Sequence, residues 1–391
     1  MSTAGPLSGY RVVDLTAMIS GPYATQLLGD QGADVIKVEP LSGDLMRLAA
    51  PSRGGISAPF LLSNRSKRSL AVNLKDSEGK RILARLVETA DVFVHNFRPG
   101  AVARVGLDED VVRAFRPDIV YVSISGFGEA GPYRDKRVYD PVIQALSGLM
   151  HHQGRGGRPS PVRTILPDKL TAVLAAQAIT AALLARERGG RGEHVRLSML
   201  DATVAWLWPD AMMTRSLIGD GASPPPGAQG GDTLYETEDG FLVVFIVSDD
   251  EWRGFLRAAE RLDLAQDPRF TTMRDRLERS GEIAAVIRDA LRSGRTADWL
   301  AKLEAEQVPC ARVNTLEDLF TDPQVAANEL IRESEHPAAG RLREPRPAAR
   351  FESNPLVLDR HAPRLGEHTD EILAELEIHD VDRLRSLGVV A

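Results

Sequence analysis

Cysteine is almost missing: Cys310 stands alone among 391 residues. A disulfide framework within one chain, and a structural zinc site built on cysteines, are therefore excluded. A surplus of positive charge is lacking too. The 48 Lys and Arg against 55 Asp and Glu leave a net charge of −7 and a pI near 5.7. A dedicated nucleic-acid binder has the opposite balance. No apolar run approaches the roughly 18 residues that cross a bilayer, and residues 1–10 have neither the basic nor the apolar part of a secretory signal. The expectation is a soluble, cytoplasmic protein with no membrane or nucleic-acid partner. No Gly-x-Gly-x-x-Gly follows the first predicted strand and no P-loop occurs, so neither nucleotide signature has its phosphate-binding glycines. No His-Glu-x-x-His is present, and the neighbours His151 and His152 read as surface residues, so no metal site is expected.

What remains is globular. The chain is 43% apolar and 26% charged, with mean hydropathy −0.18, and its length suggests two to three domains at about 150 residues each. Residues 11–15 read as a short strand, Gly21 and Pro22 open a helix that stops at Gly32, and residues 34–39 read as a second strand. Two strands joined by one helix imply a parallel pair. The pattern recurs with a strand at 69–74 and a helix at 77–89 whose Ile82, Leu83, Leu86 and Val87 share a face. Strands at 91–94 and 118–124 flank a helix at 108–115. The fold class is α/β, doubly wound.

Apolar residues Leu170, Val173, Leu174, Ala178, Ala181 and Leu184 place a helix over 168–188, and its alanines imply close packing on another helix. A strand at 194–199 and a helix from near Leu200 follow. Residues 219–232, with three consecutive prolines, read as a linker, which leaves 1–218 as a large domain. Residues 233–330 read as a smaller α+β domain, with a strand at 241–247, helices at 251–260, 283–292 and 297–306, and a strand at 310–313. The Pro- and Arg-rich stretch within 331–362 reads as a return linker, and 363–391 as a helical tail.

Two basic clusters oppose the acidic balance. Arg65, Lys67, Arg68, Lys75, Lys80 and Arg81 surround a strand end, where cations can clamp phosphates or simply meet solvent. A second group, from Arg186 to Arg196, suits the C-terminus of a helix. Asp168 admits two roles, helix N-cap or ionised nucleophile, because a helix N-terminus favours the carboxylate in both.

Several segments together resemble the class III CoA-transferases, the superfamily of formyl-CoA transferase and crotonobetainyl-CoA:carnitine CoA-transferase. They are Val-Val-Asp-Leu (12–15) with Ser-Gly-Pro (20–22), Gly-Ala-Asp-Val-Ile-Lys-Val-Glu (32–39), and Asn-Arg-Ser-Lys-Arg-Ser-Leu-Ala-Val-Asn-Leu-Lys (64–75). Asn-Phe-Arg-Pro-Gly (96–100), Tyr139-Asp140, Pro167-Asp168 and the stretch 190–202 follow, and Leu-Gly-Glu-His-Thr (365–369) echoes the family's end. The resemblance implies a Rossmann-like large domain completed by the C-terminal tail, a small domain between, and an interlocked homodimer. It implies that Asp168 is the catalytic aspartate, assisted by Tyr139, and that CoA is contacted by Val72, Asn73, Leu74, Lys75, Asn96, Phe97, Arg98, Arg104, Arg137 and Val138. The expected reaction moves CoA from an acyl-CoA to a small carboxylic acid through aspartyl anhydride and aspartyl-CoA intermediates, with no permanently bound cofactor. Ile19 stands where formyl-CoA transferase has Gln, and that enzyme's Gly-rich loop is absent, so a formyl/oxalate pair is disfavoured. The alternatives are a 2-methylacyl-CoA racemase, which carries His where this chain has Tyr139, and an inactive acyl-CoA-binding protein.

Overall fold

Six parallel strands build the main sheet of the computed structural model, which describes residues 5–219, 233–356, 358 and 360–391. They are β1 (Arg11–Leu15), β2 (Asp34–Glu39), β3 (Lys67–Ala71), β4 (Val92–His95), β5 (Val120–Ser125) and β6 (His194–Ser198). Their order is β3-β2-β1-β4-β5-β6, so the winding reverses between β1 and β4, the place where doubly wound sheets open a crevice at their carboxyl edge. The strand expected at 69–74 lies earlier. After Ala71 the chain leaves the sheet, and Val72 bridges Val390 while the Asn73 amide donates to Val389 O at 2.8 Å.

Alternation along the strands divides the core between two faces. Val13, Ile36 and Leu70 pack against Ile82, Leu83, Leu86 and Val87 of helix α2 (Ser77–Glu88), the face read from the sequence, and Val112 of helix α3 (Glu109–Phe115) joins the same cluster. Val12, Val35 and Val94 pack against Ala24 and Leu28 of helix α1 (Ser20–Asp30) and against the long helix at Leu166–Gly189. That helix buries Thr171, Ala172, Ala175, Ala176, Ile179, Ala182 and Leu183, whereas Val173 and Leu184 of the expected apolar stripe are each 51% exposed. Close approach to α1 selects the small side chains and turns the larger ones away. By length and composition alone this helix could cross a membrane. Thr171, Gln177 and Thr180 interrupt it, which is why counting unbroken apolar runs missed it.

The contacts divide the chain into a unit of residues 1–211 with 330–391 and a unit of residues 212–329. In the second, strands β7 (Leu234–Glu236), β8 (Phe241–Val244) and β9 (Cys310–Arg312) form an antiparallel sheet in the order β9-β8-β7. Its core is Trp252, Phe255, Leu256, Trp299 and Leu303. The strand expected over 241–247 ends at Val244, ahead of the Ser248/Glu251 capping box that opens the next helix. The linker expected at 219–232 lies, apart from Gly219, outside the described residues. The stretch read as a return linker is not all extended chain: β10 (Ile331–His336) and β11 (Gly340–Pro345) form a hairpin. Pro337 falls in the turn, and Gly340, at the start of β11, takes φ +69° where the chain reverses.

Candidate active site

Asp168 is not a helix cap. The long helix, α5 (Leu166–Gly189), begins two residues earlier, and its N-cap position, Ile165, offers no side-chain cap. Asp168 is the third residue of that helix, within its first turn. It faces the start of α1 instead, where the hydroxyl and the backbone N–H of Ser20 favour its ionised form. Thus the positive ends of two packed helices serve one carboxylate.

A second carboxylate opposes this. Asp140 is buried at the first position of helix α4 (Asp140–Leu146) and accepts the Asp168 backbone N–H at 3.2 Å. Its other oxygen takes the Gln144 amide at 2.6 Å, and the Gln144 oxygen accepts Val162 N–H at 3.0 Å. Burial, and then the charge of Asp140, push the Asp168 carboxyl from 3.8 to about 6 against the pull of Ser20. An acid raised this far is still mostly ionised at neutral pH and is more basic, hence a better nucleophile, than a solvated aspartate. Tyr139, just before Asp140, is 64% exposed, and among the described residues no hydrogen bond joins its hydroxyl to Asp168.

The expected CoA contacts separate into groups. Phe97, Arg98 and Arg104 line one cavity of about 630 Å³ at the ends of β4 and β5. Both arginines are exposed, and among the described residues neither has an ion-pair partner. The cavity floor is a hydrogen-bonded chain the sequence did not reveal. Phe97 N–H donates to His95 Nδ1, so His95 carries its proton on Nε2 and donates to the Tyr121 hydroxyl at 3.0 Å, which donates to Leu107 O at 2.9 Å. Burial, with His194 nearby, lowers His95 to about 4, so it is neutral at pH 7. His194 meets Glu109 at 2.5 Å and Ser123 at 3.0 Å, and Arg196 ties Glu109 to Glu129.

The other expected contacts lie outside that cavity. Asn96 spends both ends of its amide on the backbone of Ala17. Val72 is fully buried, Leu74 packs on the core, Asn73 accepts from Lys75 N–H, and the Lys75 side chain is exposed. Arg137 is exposed, and Val138 covers Gly126, where an added Cβ would come within 2.3 Å of Val138 Cγ1. The basic cluster is half structural. Lys67 is buried with Asp14, Arg65 with Asp30 and Glu344, and Arg68 with Asp34, Glu371 and Glu375. Only Lys75, Lys80 and Arg81 of that group remain at the surface. Arg186 and Arg196 of the second cluster are paired with acids, and His151 and His152 are exposed. Ser20 and Asp140 were visible within motifs, but nothing in sequence spacing signals that both meet Asp168.

A doubly wound α/β unit with a raised carboxylate where two helices begin, and a cavity edged by two exposed arginines, is the frame of a transferase. The chain belongs to CoA-transferase family III, which it matches over residues 7–369. It is 34% identical over 400 residues to the human succinyl-CoA:glutarate CoA-transferase, covering 100% of this chain and 91% of that one. It is 36% identical over 386 residues to succinate--glutarate CoA-transferase of Agrobacterium fabrum (95% and 96% covered). To the formyl-CoA:oxalate CoA-transferase of Streptomyces coelicolor it is 33% identical over 411 residues (99% and 100%). The crystal structure of a CAIB/BAIF family protein from Brucella suis superimposes with a TM-score of 0.81 at 32% identity, covering 95% of this chain and 100% of that one. These likenesses bear out the family and the α/β fold class expected from the motifs.

Proposed function

We propose that this enzyme transfers CoA from an acyl-CoA to a dicarboxylic acid with Asp168 as covalent nucleophile, working as a cytoplasmic homodimer. The observation that carries the reading is the Asp168 carboxylate, raised to about 6 by burial and Asp140 yet steadied by Ser20. Its oxygen attacks the thioester carbonyl, the C–S bond breaks, and CoA thiolate leaves a mixed aspartyl–acyl anhydride. The thiolate then attacks the aspartyl carbonyl, releasing the donor acid and forming an aspartyl-CoA thioester. An acceptor carboxylate attacks that thioester and expels the thiolate. The thiolate finally attacks the acceptor's acyl carbon, giving the new acyl-CoA and the free Asp168 carboxylate. Overall one acyl thioester is exchanged for another of similar energy, so the reaction requires no ATP. Phe97, Arg98 and Arg104 suit the nucleotide end of CoA, with an aromatic face and two cations.

Two relatives are named for succinate or succinyl-CoA with glutarate, so C4 and C5 dicarboxylates are the first class to test. Ile19, apolar beside Ser20, supports a substrate other than oxalate. The test is a mass-spectrometric screen of acyl-CoA donors against carboxylic acids. Transfer to a dicarboxylate, with a hydroxylamine adduct on Asp168 trapped during turnover, supports the proposal. Deuterium entering C2 of a 2-methylacyl-CoA without an acceptor, at a rate matching turnover, would establish the racemase instead. Tyr139 disfavours that outcome, because it stands where the racemases carry His and a phenol is a weaker base than an imidazole.

A further inference from the structure

In the loop between β1 and α1, the backbone of three successive residues, Thr16, Ala17 and Met18, is held by the side chains of Asp14, Lys37, Asn96 and Asp44. Thr16 N–H and Oγ1 both donate to Asp14 Oδ1, at 2.9 and 2.5 Å. Thr16 O accepts from Lys37 Nζ at 2.8 Å. Ala17 N–H donates to Asn96 Oδ1 at 3.0 Å, and Ala17 O accepts from Asn96 Nδ2 at 2.8 Å. Met18 N–H donates to the Asp44 carboxylate at 3.2 Å. Lys37 and Asp44 are themselves paired at 3.1 Å and are both buried. Held this way, Met18 adopts φ +69°, a left-handed conformation that a side chain with a Cβ resists unless its surroundings over-determine it. Gly21 closes the loop against Thr16, since a Cβ there would lie 2.3 Å from Thr16 Cβ. Ser20, between Met18 and Gly21, is the residue that faces Asp168.

We propose that Lys37, Asp44 and Asn96 are positioning residues for CoA transfer, fixing the strained Thr16–Ala17–Met18 backbone so that the amide and hydroxyl of Ser20 stay aimed at the Asp168 carboxylate. The inference rests on Asp168 being the nucleophile. It gives Asn96 a different role from the CoA contact implied by resemblance, because both ends of its amide are occupied by Ala17. Releasing the loop would withdraw the donors from Asp168. Burial and Asp140, the charged group that faces it among the described residues, would then act unopposed, and the carboxylate would ionise at higher pH.

The test compares Asn96→Ala, the double variant Lys37→Met/Asp44→Leu, and Ser20→Ala as the reference for lost donors. The double variant replaces a buried ion pair with apolar side chains of similar size, a change proteins often tolerate. Measured quantities are kcat, the pH dependence of kcat/KM, and the Kd of free CoA by calorimetry. In all three, kcat should fall about 10- to 100-fold, as for a small misplacement of a reacting group, and the acid limb should move to higher pH. CoA affinity of the double variant should be unchanged. An acid limb that stays in place in Asn96→Ala while Ser20→Ala shifts it overturns the proposal, as does loss of CoA affinity in Asn96→Ala with the limb unmoved. Should the double variant not fold, Asn96→Ala decides. An active Asp168→Asn enzyme would remove the nucleophile reading itself, whereas an inactive one with unmoved limbs in the loop variants would sink only this inference.

Discussion

Asp168→Asn separates chemistry from stability, with opposite signs. The substitution keeps size and hydrogen-bonding capacity but cannot carry negative charge. In the folded protein the carboxyl titrates at about 6 against 3.8 for the free side chain, and that difference corresponds to about 3 kcal/mol of disfavoured ionisation. Because the folded state holds the proton to higher pH than the unfolded chain, the stability linked to this proton is present at low pH and is lost as pH rises through about 6. The neutral amide does not suffer that loss. Asp168→Asn should therefore be more stable than the wild type at about pH 7.5, with an electrostatic gain of up to about 3 kcal/mol, and this gain should be about 1.4 kcal/mol smaller at about pH 5, where the wild-type carboxyl is mostly protonated. Urea unfolding of both proteins at the two pH values measures the difference. Transfer activity should fall by about 10³-fold or more, equivalent to roughly 4 kcal/mol of barrier. A stability difference independent of pH would refute the electrostatic argument, and near-normal turnover would remove Asp168 from the reaction.

Three other substitutions test neighbouring parts of the argument. Asp140→Asn retains an acceptor for the Asp168 N–H but removes the opposing charge, so the acid limb of kcat/KM should move below pH 6. At pH 5 the wild-type carboxylate is about one-tenth ionised, which caps the gain in rate from ionisation at about tenfold. Arg98→Ala and Arg104→Ala should weaken binding of CoA more than that of pantetheine, which lacks the nucleotide phosphates, and the loss should shrink with added salt. Calorimetry with both ligands decides, and equal losses would make the arginines structural. Gly126→Ala drives a Cβ into Val138 and should cost about 1–3 kcal/mol by overpacking. Adding Val138→Ala to that variant should recover part of the melting temperature, since it removes the atom at 2.3 Å but leaves the Val138 Cβ at 2.9 Å, and no recovery would show that the contact is not the cause.

Local pattern was enough for the parallel strands and for the apolar face of α2. Both depend on side-chain period and on turn residues next to the element they end. The ordered motifs along the chain were enough for the family, since their order and spacing record one fold. The same local evidence misplaced the buried face of α5, because alanines win that face only when α1 lies against it. It also took Arg65, Lys67 and Arg68 for candidate phosphate ligands, although each is consumed by buried acids distant in sequence, Asp30, Asp14 and Asp34 among them. Composition cannot show whether a cation already has a partner. Asp168 was legible as a residue but not as a chemical state. Its raised pKa comes from burial and from Asp140, its steadying from Ser20, and those neighbours stand 28 and 148 positions away along the chain. Sequence by itself determined the alternation of strands and helices in the large unit, and the family. Only the tertiary structure decided how basic that carboxylate is, because electrostatic interactions depend on distance and burial in space, and neither is written in the order of residues.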